Sequence, residues 1–294
     1  MQVPLNALIA LAAAASWGGG DFCGGMGVKA AGDGIARAVR FVVLAHAMSL
    51  AVLLALLWSR HATMPHGSPV LWAMAAGMTG ALGLVAFYIA LSRGAMGTSA
   101  AVSGLLAAAI PAGVSSVIEG APGSIRILGF VVAAGAIWLI AAGDSPEATG
   151  ESRLTMGLAL FGGVAFGVYF VCLRMSNPLG AVLPMAIARA GSLTLCVPVL
   201  LVMQRGVRAS EGGWLGGWLR GWRWAGGVAV LDTAGNMLFV AATLAGRLDV
   251  ASVLASLYPA GTILLAAWRL HERPTRRQWI GMAVALAAVV MIAL

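Results

Sequence analysis

Four ionisable side chains stand inside otherwise apolar stretches of the chain: Asp21, His46, Arg189 and Asp232. A charge at the centre of a bilayer costs about 2.5–3.5 kcal/mol on insertion scales, so each such group needs a partner or a wet cavity. At 1.5 Å per residue, Arg189 and Asp232 each fall roughly 12–14 Å inside consecutive apolar stretches, near the middle of a membrane. Two chemistries are open. The two residues form a structural ion pair, or they line a cavity and hold a zwitterion, Arg189 its carboxylate and Asp232 its ammonium. The planar guanidinium suits the first contact because its fork matches a carboxylate. Asn236, one turn beyond Asp232, lies on the same helix face and marks that face as polar. His46 is either a hydrogen-bonded core group or a proton site. Asp21, after three glycines, is a cap or a gate.

Aromatic and hydroxyl residues add to the set. Trp17, Tyr88, Phe166, Tyr169 and Tyr258 are candidate cavity walls, with belt or packing roles as the alternative. Ser99 and Ser103, like Ser252 and Ser256, recur every four residues and form a stripe on one helix face. Such stripes serve either close helix packing or a pore lining. Tyr258 precedes Pro259, whose missing N–H weakens the helix ladder and makes it the candidate hinge.

The elements that must position these groups follow from composition. The chain is 61% hydrophobic and 10% charged, with 40 glycines in 294 residues. A soluble domain carries about 25% charged residues to wet its surface, so most of this surface faces lipid. Ten apolar spans of about the ~20 residues that cross hydrocarbon are expected. The polar stretch 144–153 divides them into halves, residues 1–143 and 154–294, of five spans each. Ser99, Ser103 and Glu119 are separated from Ser252, Ser256 and Glu272 by one constant interval, and Trp17-Gly18 matches Phe166-Gly167. An odd number of spans per half means that the second half enters from the opposite face. The fold class expected is an all-α integral membrane protein of two inverted five-helix repeats, with both termini on one side.

The net charge of +8 concentrates in the loops after odd-numbered spans and sets topology rather than binding nucleic acid. By the positive-inside rule, that bias puts both termini outside. Cys23, Cys172 and Cys196 show no paired spacing, which argues against a disulfide framework or a metal site. No phosphate loop, His-Glu-x-x-His or cysteine pair is present, and no enzyme chemistry is expected. No cofactor is expected either; the partners are a small-molecule substrate and the lipid bilayer, with the chain a monomer.

The Trp-Gly of each half's first span, together with Pro259 and Glu272-Arg273 before a short turn and a last span, resembles the EamA family of the drug/metabolite transporter superfamily. The first half departs from the pattern, with Leu106 where the proline would stand and Gly120 after Glu119. The resemblance implies a multi-pass carrier of the bacterial inner membrane, with termini in the cytoplasm, that exports small metabolites by alternating access. In length and layout the chain is similar to the YddG-type amino-acid exporters. Amino acids are therefore the expected substrates, with purines, sugars or drug-like cations as the alternative.

Overall fold

The computed structural model describes residues 5–31, 34–59, 61, 65–93, 96–141, 150–204, 221–271 and 275–293. Most of the expected 144–153 linker, and Glu272 and Arg273, lie outside the described residues. Among the described residues there are eleven α-helices: α1 Leu5–Ala31, α2 Ile35–Ser59, α3 Ser68–Arg93, α4 Met96–Ile118, α5 Ser124–Ala141, α6 Gly150–Met175, α7 Val182–Gln204, α8 Trp222–Ala245, α9 Leu248–Ala255, α10 Tyr258–Leu270 and α11 Arg276–Ala293. No strand occurs among the described residues. Six segments are long and apolar enough to cross a membrane, namely α2, α3, Arg153–Met175, Val182–Met203, α8 and the joined Leu248–Leu270. Val102–Ile118 and Ser124–Leu139 are shorter apolar helices. With α1 and α11, they make ten helical segments among the described residues where ten spans were expected, six of which have the length and hydropathy of a crossing. The chain is a multi-pass membrane protein.

The helix ends fix the two faces. Gly246, after α8, lies against Asn6 at the start of α1, whereas Gly221, before α8, lies against Gly27 and Phe41 at the α1–α2 turn. Exposed tryptophans ring both ends. Trp58 stands at the end of α2, and Trp138, Trp222, Trp268 and Trp279 stand near ends on the opposite face. Indole rings prefer this interfacial depth because one edge is apolar and the other can hydrogen-bond.

Packing runs between the halves. The tightest helix partners are α1 with α8, α3 with α6, α5 with α11, α4 with α6, and α1 with the α9–α10 span. Lipid tails are as apolar as leucine, so helices here associate through close contact rather than hydrophobic drive, and small residues permit that contact. A Cβ on Gly18 would lie 2.8 Å from the Tyr258 carbonyl, one on Gly163 2.6 Å from the Ser103 carbonyl, and one on Gly77 1.9 Å from the Ala188 carbonyl. Two aromatics occupy matching notches. The Phe166 ring fills the space a Cβ on Gly83 would need, and the Trp17 ring does the same at Gly235.

The ninth span is broken. Its helix stops at Ala255 and resumes at Tyr258, with Leu257 as the cap and Pro259 in the first turn of α10. Proline has no N–H to give the Ala255 carbonyl, so the ladder is interrupted there, while the first turn of a new helix needs no such donor. Pro111 lies inside α4 without a break. The helical ladder is therefore interrupted at Ser256-Leu257, just ahead of the proline expected to form the hinge.

Because the carbonyl of Ala188 fills the notch at Gly77, Gly77→Ala should cost about 1–3 kcal/mol by overpacking. Gly135→Ala, where nothing lies within 4 Å, should be neutral or stabilise slightly. Thermal unfolding in detergent checks both; equal midpoints for the two variants would refute the notch.

Candidate functional site

The polar centre is built around Arg189. Its Nη2 donates to Asp232 Oδ2 in a short ion pair and to Thr233 Oγ1 at 3.3 Å. Its Nε donates to Ser49 Oγ at 3.2 Å, and its Nη1 bonds His46 Nε2 at 3.0 Å. A guanidinium can only donate, so His46 Nε2 accepts and the ring is held in the tautomer protonated at Nδ1. That proton goes to Ser192 Oγ, 2.5 Å away. Ser49 and Thr233 join through a 2.5 Å hydroxyl–hydroxyl bond. Helices α2, α7 and α8 are thus tied at one buried node; Arg189 is 4% exposed, Asp232 9% and His46 2%.

This node forms one wall of a narrow cavity of about 40 Å³. Trp17, Asp21, His46, Phe166, Tyr169, Arg189, Asp232, Asn236 and Tyr258, all candidates named from the sequence, line it. Trp17 Nε1 donates to Asn236 Oδ1 at 3.2 Å, which fixes the indole plane. The ring stacks on Phe170, with centroids 5.0 Å apart, and meets Tyr258 edge-on. Asp21 makes no hydrogen bond or ion pair among the described residues. Its carboxyl faces a cavity with aromatic walls. A water needs about 10–15 Å³, so the space holds only about three waters, and a metabolite is admitted only if the walls move.

Tyr88, Ser99, Ser103 and Ser256 are buried but do not line this cavity. The Tyr88 ring occupies the notch at Gly24 on α1. Ser256 donates to the Val253 carbonyl within its own helix, and its own carbonyl abuts Gly104. The serine stripes therefore form the seam between α4, α6 and the ninth span. They face protein, not lipid. Two groups of wall and network residues were not anticipated. Gly77, Gly80, Leu84, Phe170 and Ala188 complete the wall; the regular Gly77, Gly80, Gly83 spacing on α3 was the available signal. Ser49 and Ser192 join the network; Ser49, one turn after His46, was visible on the same face, whereas Ser192 carried no such mark.

A second polar cluster closes the face where α1 begins. Glu119 Oε1 accepts from Arg174 Nη2 at 2.8 Å. Its Oε2 accepts from Ser115 Oγ at 2.7 Å and from the Leu248 N–H at 2.9 Å, capping the free N-terminus of α9. Arg247 returns the link, donating to the Glu119 and Gly120 carbonyls at 3.0 and 2.8 Å while pairing with the fully buried Asp249. Arg174 also bonds the Thr243 carbonyl. These bonds join the end of α4 to the ends of α6 and α8 and the start of α9, that is, one half of the chain to the other.

Among the described residues no cluster could hold a metal ion. Residues 153–294 match the model of the EamA-like transporter family. That match spans just under half of the chain, and the family it describes is one of transporters. A crystal structure described only as that of a protein is similar over 100% of this chain and 99% of its own, at 15% identity and a TM-score of 0.70, which shows a shared fold. No curated protein sequence matches the chain.

Removing one member of a buried ion pair costs about 3–5 kcal/mol, because a charge is left uncompensated, whereas replacing both by apolar groups is often neutral. Arg189→Leu alone should therefore lower the melting midpoint in detergent markedly, and Arg189→Leu with Asp232→Leu should recover much of it. Additive losses in the double variant would mean that the two side chains are not coupled.

Proposed function

We propose that the protein is a carrier that moves small amine-bearing metabolites, amino acids foremost, across a bacterial inner membrane by alternating access. The observation that carries this reading is the cavity itself: one carboxyl group without a partner among the described residues, a carboxylate–guanidinium pair and aromatic walls meet in a buried space between membrane helices. Asp21 offers a seat for an ammonium group, and the rings of Trp17, Phe166 and Tyr258 add cation–π attraction. The substrate carboxylate competes with Asp232 for Arg189. Four of the five guanidinium N–H groups already have partners, so that exchange accompanies binding rather than preceding it. The wall residues Trp17, Asp21, His46, Phe166, Tyr169, Arg189, Asp232, Asn236 and Tyr258 are the proposed binding set, with no cofactor and with the single chain as the transporting unit.

Two inverted five-helix repeats, residues 1–143 and 154–294, are the proposed machinery. Exchanging the halves turns the α1–α8 contact into α6–α3 and the α4–α6 contact into α9–α10 with α1, and it leaves α2–α7 and α5–α11 unchanged. This interchange supports the repeat reading, as do the paired notches at Gly83 and Gly235. Rocking one half against the other around a central site is how such repeats alternate access. The Glu119 cluster, which bonds one half to the other, serves as the closed gate on its face, and the Ser256-Leu257 break supplies the bend. In length and layout the chain is similar to the YddG-type exporters.

A second reading, export of organic cations, is favoured by one observation: Asp21 has no partner among the described residues, while the guanidinium is largely occupied. The two readings separate on the carboxylate. Counterflow in proteoliposomes should be faster for phenylalanine or tyrosine than for phenethylamine or tyramine, and Asp21→Asn should reduce it at least tenfold. Equal or better flux of the decarboxylated amines would transfer the assignment to organic cations, and no saturable flux of either class would remove the carrier reading.

For the gate, Glu119→Ala should expose the cavity to its face. In a background lacking Cys23, Cys172 and Cys196, a cysteine at Ala188 should react several-fold faster with a membrane-impermeant thiol reagent added on the Glu119 side. An unchanged rate would make the cluster a static tie.

A further inference from the structure

A separate groove lies on the outer surface of the bundle, between α2, α3, α6 and α7. It encloses about 410 Å³, ten times the central cavity. Its floor is made of small or buried side chains, Val39, Ala81, Ala86 and Cys196, and its rims are exposed apolar ones, Leu82 and Phe161 among them. Such a trough is open sideways to lipid. The groove runs along α3 from Ala81 to Arg93, the last residue of that helix. Twelve residues span about 18 Å. Half of the ~30 Å hydrocarbon core is about 15 Å, so the groove reaches from the interface to the middle of the membrane, the depth of one leaflet.

Its polarity is confined to one end. Arg93 is the one charged residue in the lining; it is exposed and has no ion-pair partner among the described residues. It stands on the face that also carries Lys29, Arg37, Arg223, Arg269 and Arg276, where an anionic headgroup is drawn to the surface. We propose that this groove seats one acyl chain of an anionic phospholipid whose phosphate rests on Arg93. An arginine fork is matched to phosphate oxygens, and the trough below it offers no polar group that would exclude a hydrocarbon chain. The occupant bridges α2 and α3 of the first half to α6 and α7 of the second, so it is placed to bias how the halves move. The lipid assignment itself requires only that the protein lies in a bilayer.

Native mass spectrometry of the whole protein tests it. The purified chain is equilibrated with equal amounts of phosphatidylglycerol and phosphatidylcholine carrying identical acyl chains. The wild type should retain phosphatidylglycerol in preference. Arg93→Gln should reduce that preference about fivefold, the size of one arginine's attraction at a membrane surface, while still retaining lipid. Ala86→Phe, which fills the trough, should lose retention of both lipids; should that variant not fold, Leu82→Trp at the exposed rim takes its place. No preference in the wild type, or an undiminished one in Arg93→Gln, overturns the proposal.

Discussion

The Arg189–Asp232 pair is the constraint on which the rest of this bundle depends. Either charge alone at this depth is expensive, and their mutual attraction offsets the cost only when the remaining hydrogen-bonding capacity is also met. The structure meets it with groups from three helices: His46 and Ser49 on α2, Ser192 on α7 and Thr233 on α8. The node therefore fixes the rotation of each helix about its axis. A quarter turn of α7 would carry Arg189 away from every partner at once. A polar network in a low-dielectric interior is demanding in this way, because satisfaction is shared and loss is shared.

Apolar packing around the node follows a different rule. Glycines on α1, α3, α6 and α8 let backbones or rings approach to distances that any Cβ would forbid. The notches at Gly83 and Gly235 take Phe166 and Trp17 and so place two aromatic walls of the cavity. Packing and site are thus made by the same contacts. The charged groups do not share this near-symmetry. Asp21 stands in the first half at the position that Phe170 occupies in the second, if Trp17 is aligned with Phe166. The charges of the candidate site are therefore unmatched between the two segments, although the ring-in-notch contacts at Gly83 and Gly235 resemble each other.

Much of the site was legible because a membrane chain advertises its exceptions. Asp21, His46, Arg189 and Asp232 were visible as charges in apolar stretches, and all four reach one cavity. Trp17, Phe166 and Tyr258 were visible from repeat position or from the neighbouring proline. The serine stripes were ambiguous, since small hydroxyl residues serve a seam and a pore equally well. Ser103 and Ser256 lie in the seam, where the neighbouring backbones come too close to leave a void.

Composition and span length alone determined that the chain is helical and lies in a membrane, since an unpaired backbone group in hydrocarbon leaves little choice. Pro259 marked the interruption of the ninth span to within three residues, because a missing N–H acts locally. Tertiary structure decided who meets whom. That Arg189 spends its donors on Asp232, His46, Ser49 and Thr233, leaving Asp21 open, depends on the rotation and depth of four helices, and these are set by glycine contacts between segments up to about 240 residues apart in the chain. The same holds for the Glu119 cluster. Its carboxylate has no local partner beyond Ser115, and only the fold brings Arg174 and the N-terminus of α9 to it.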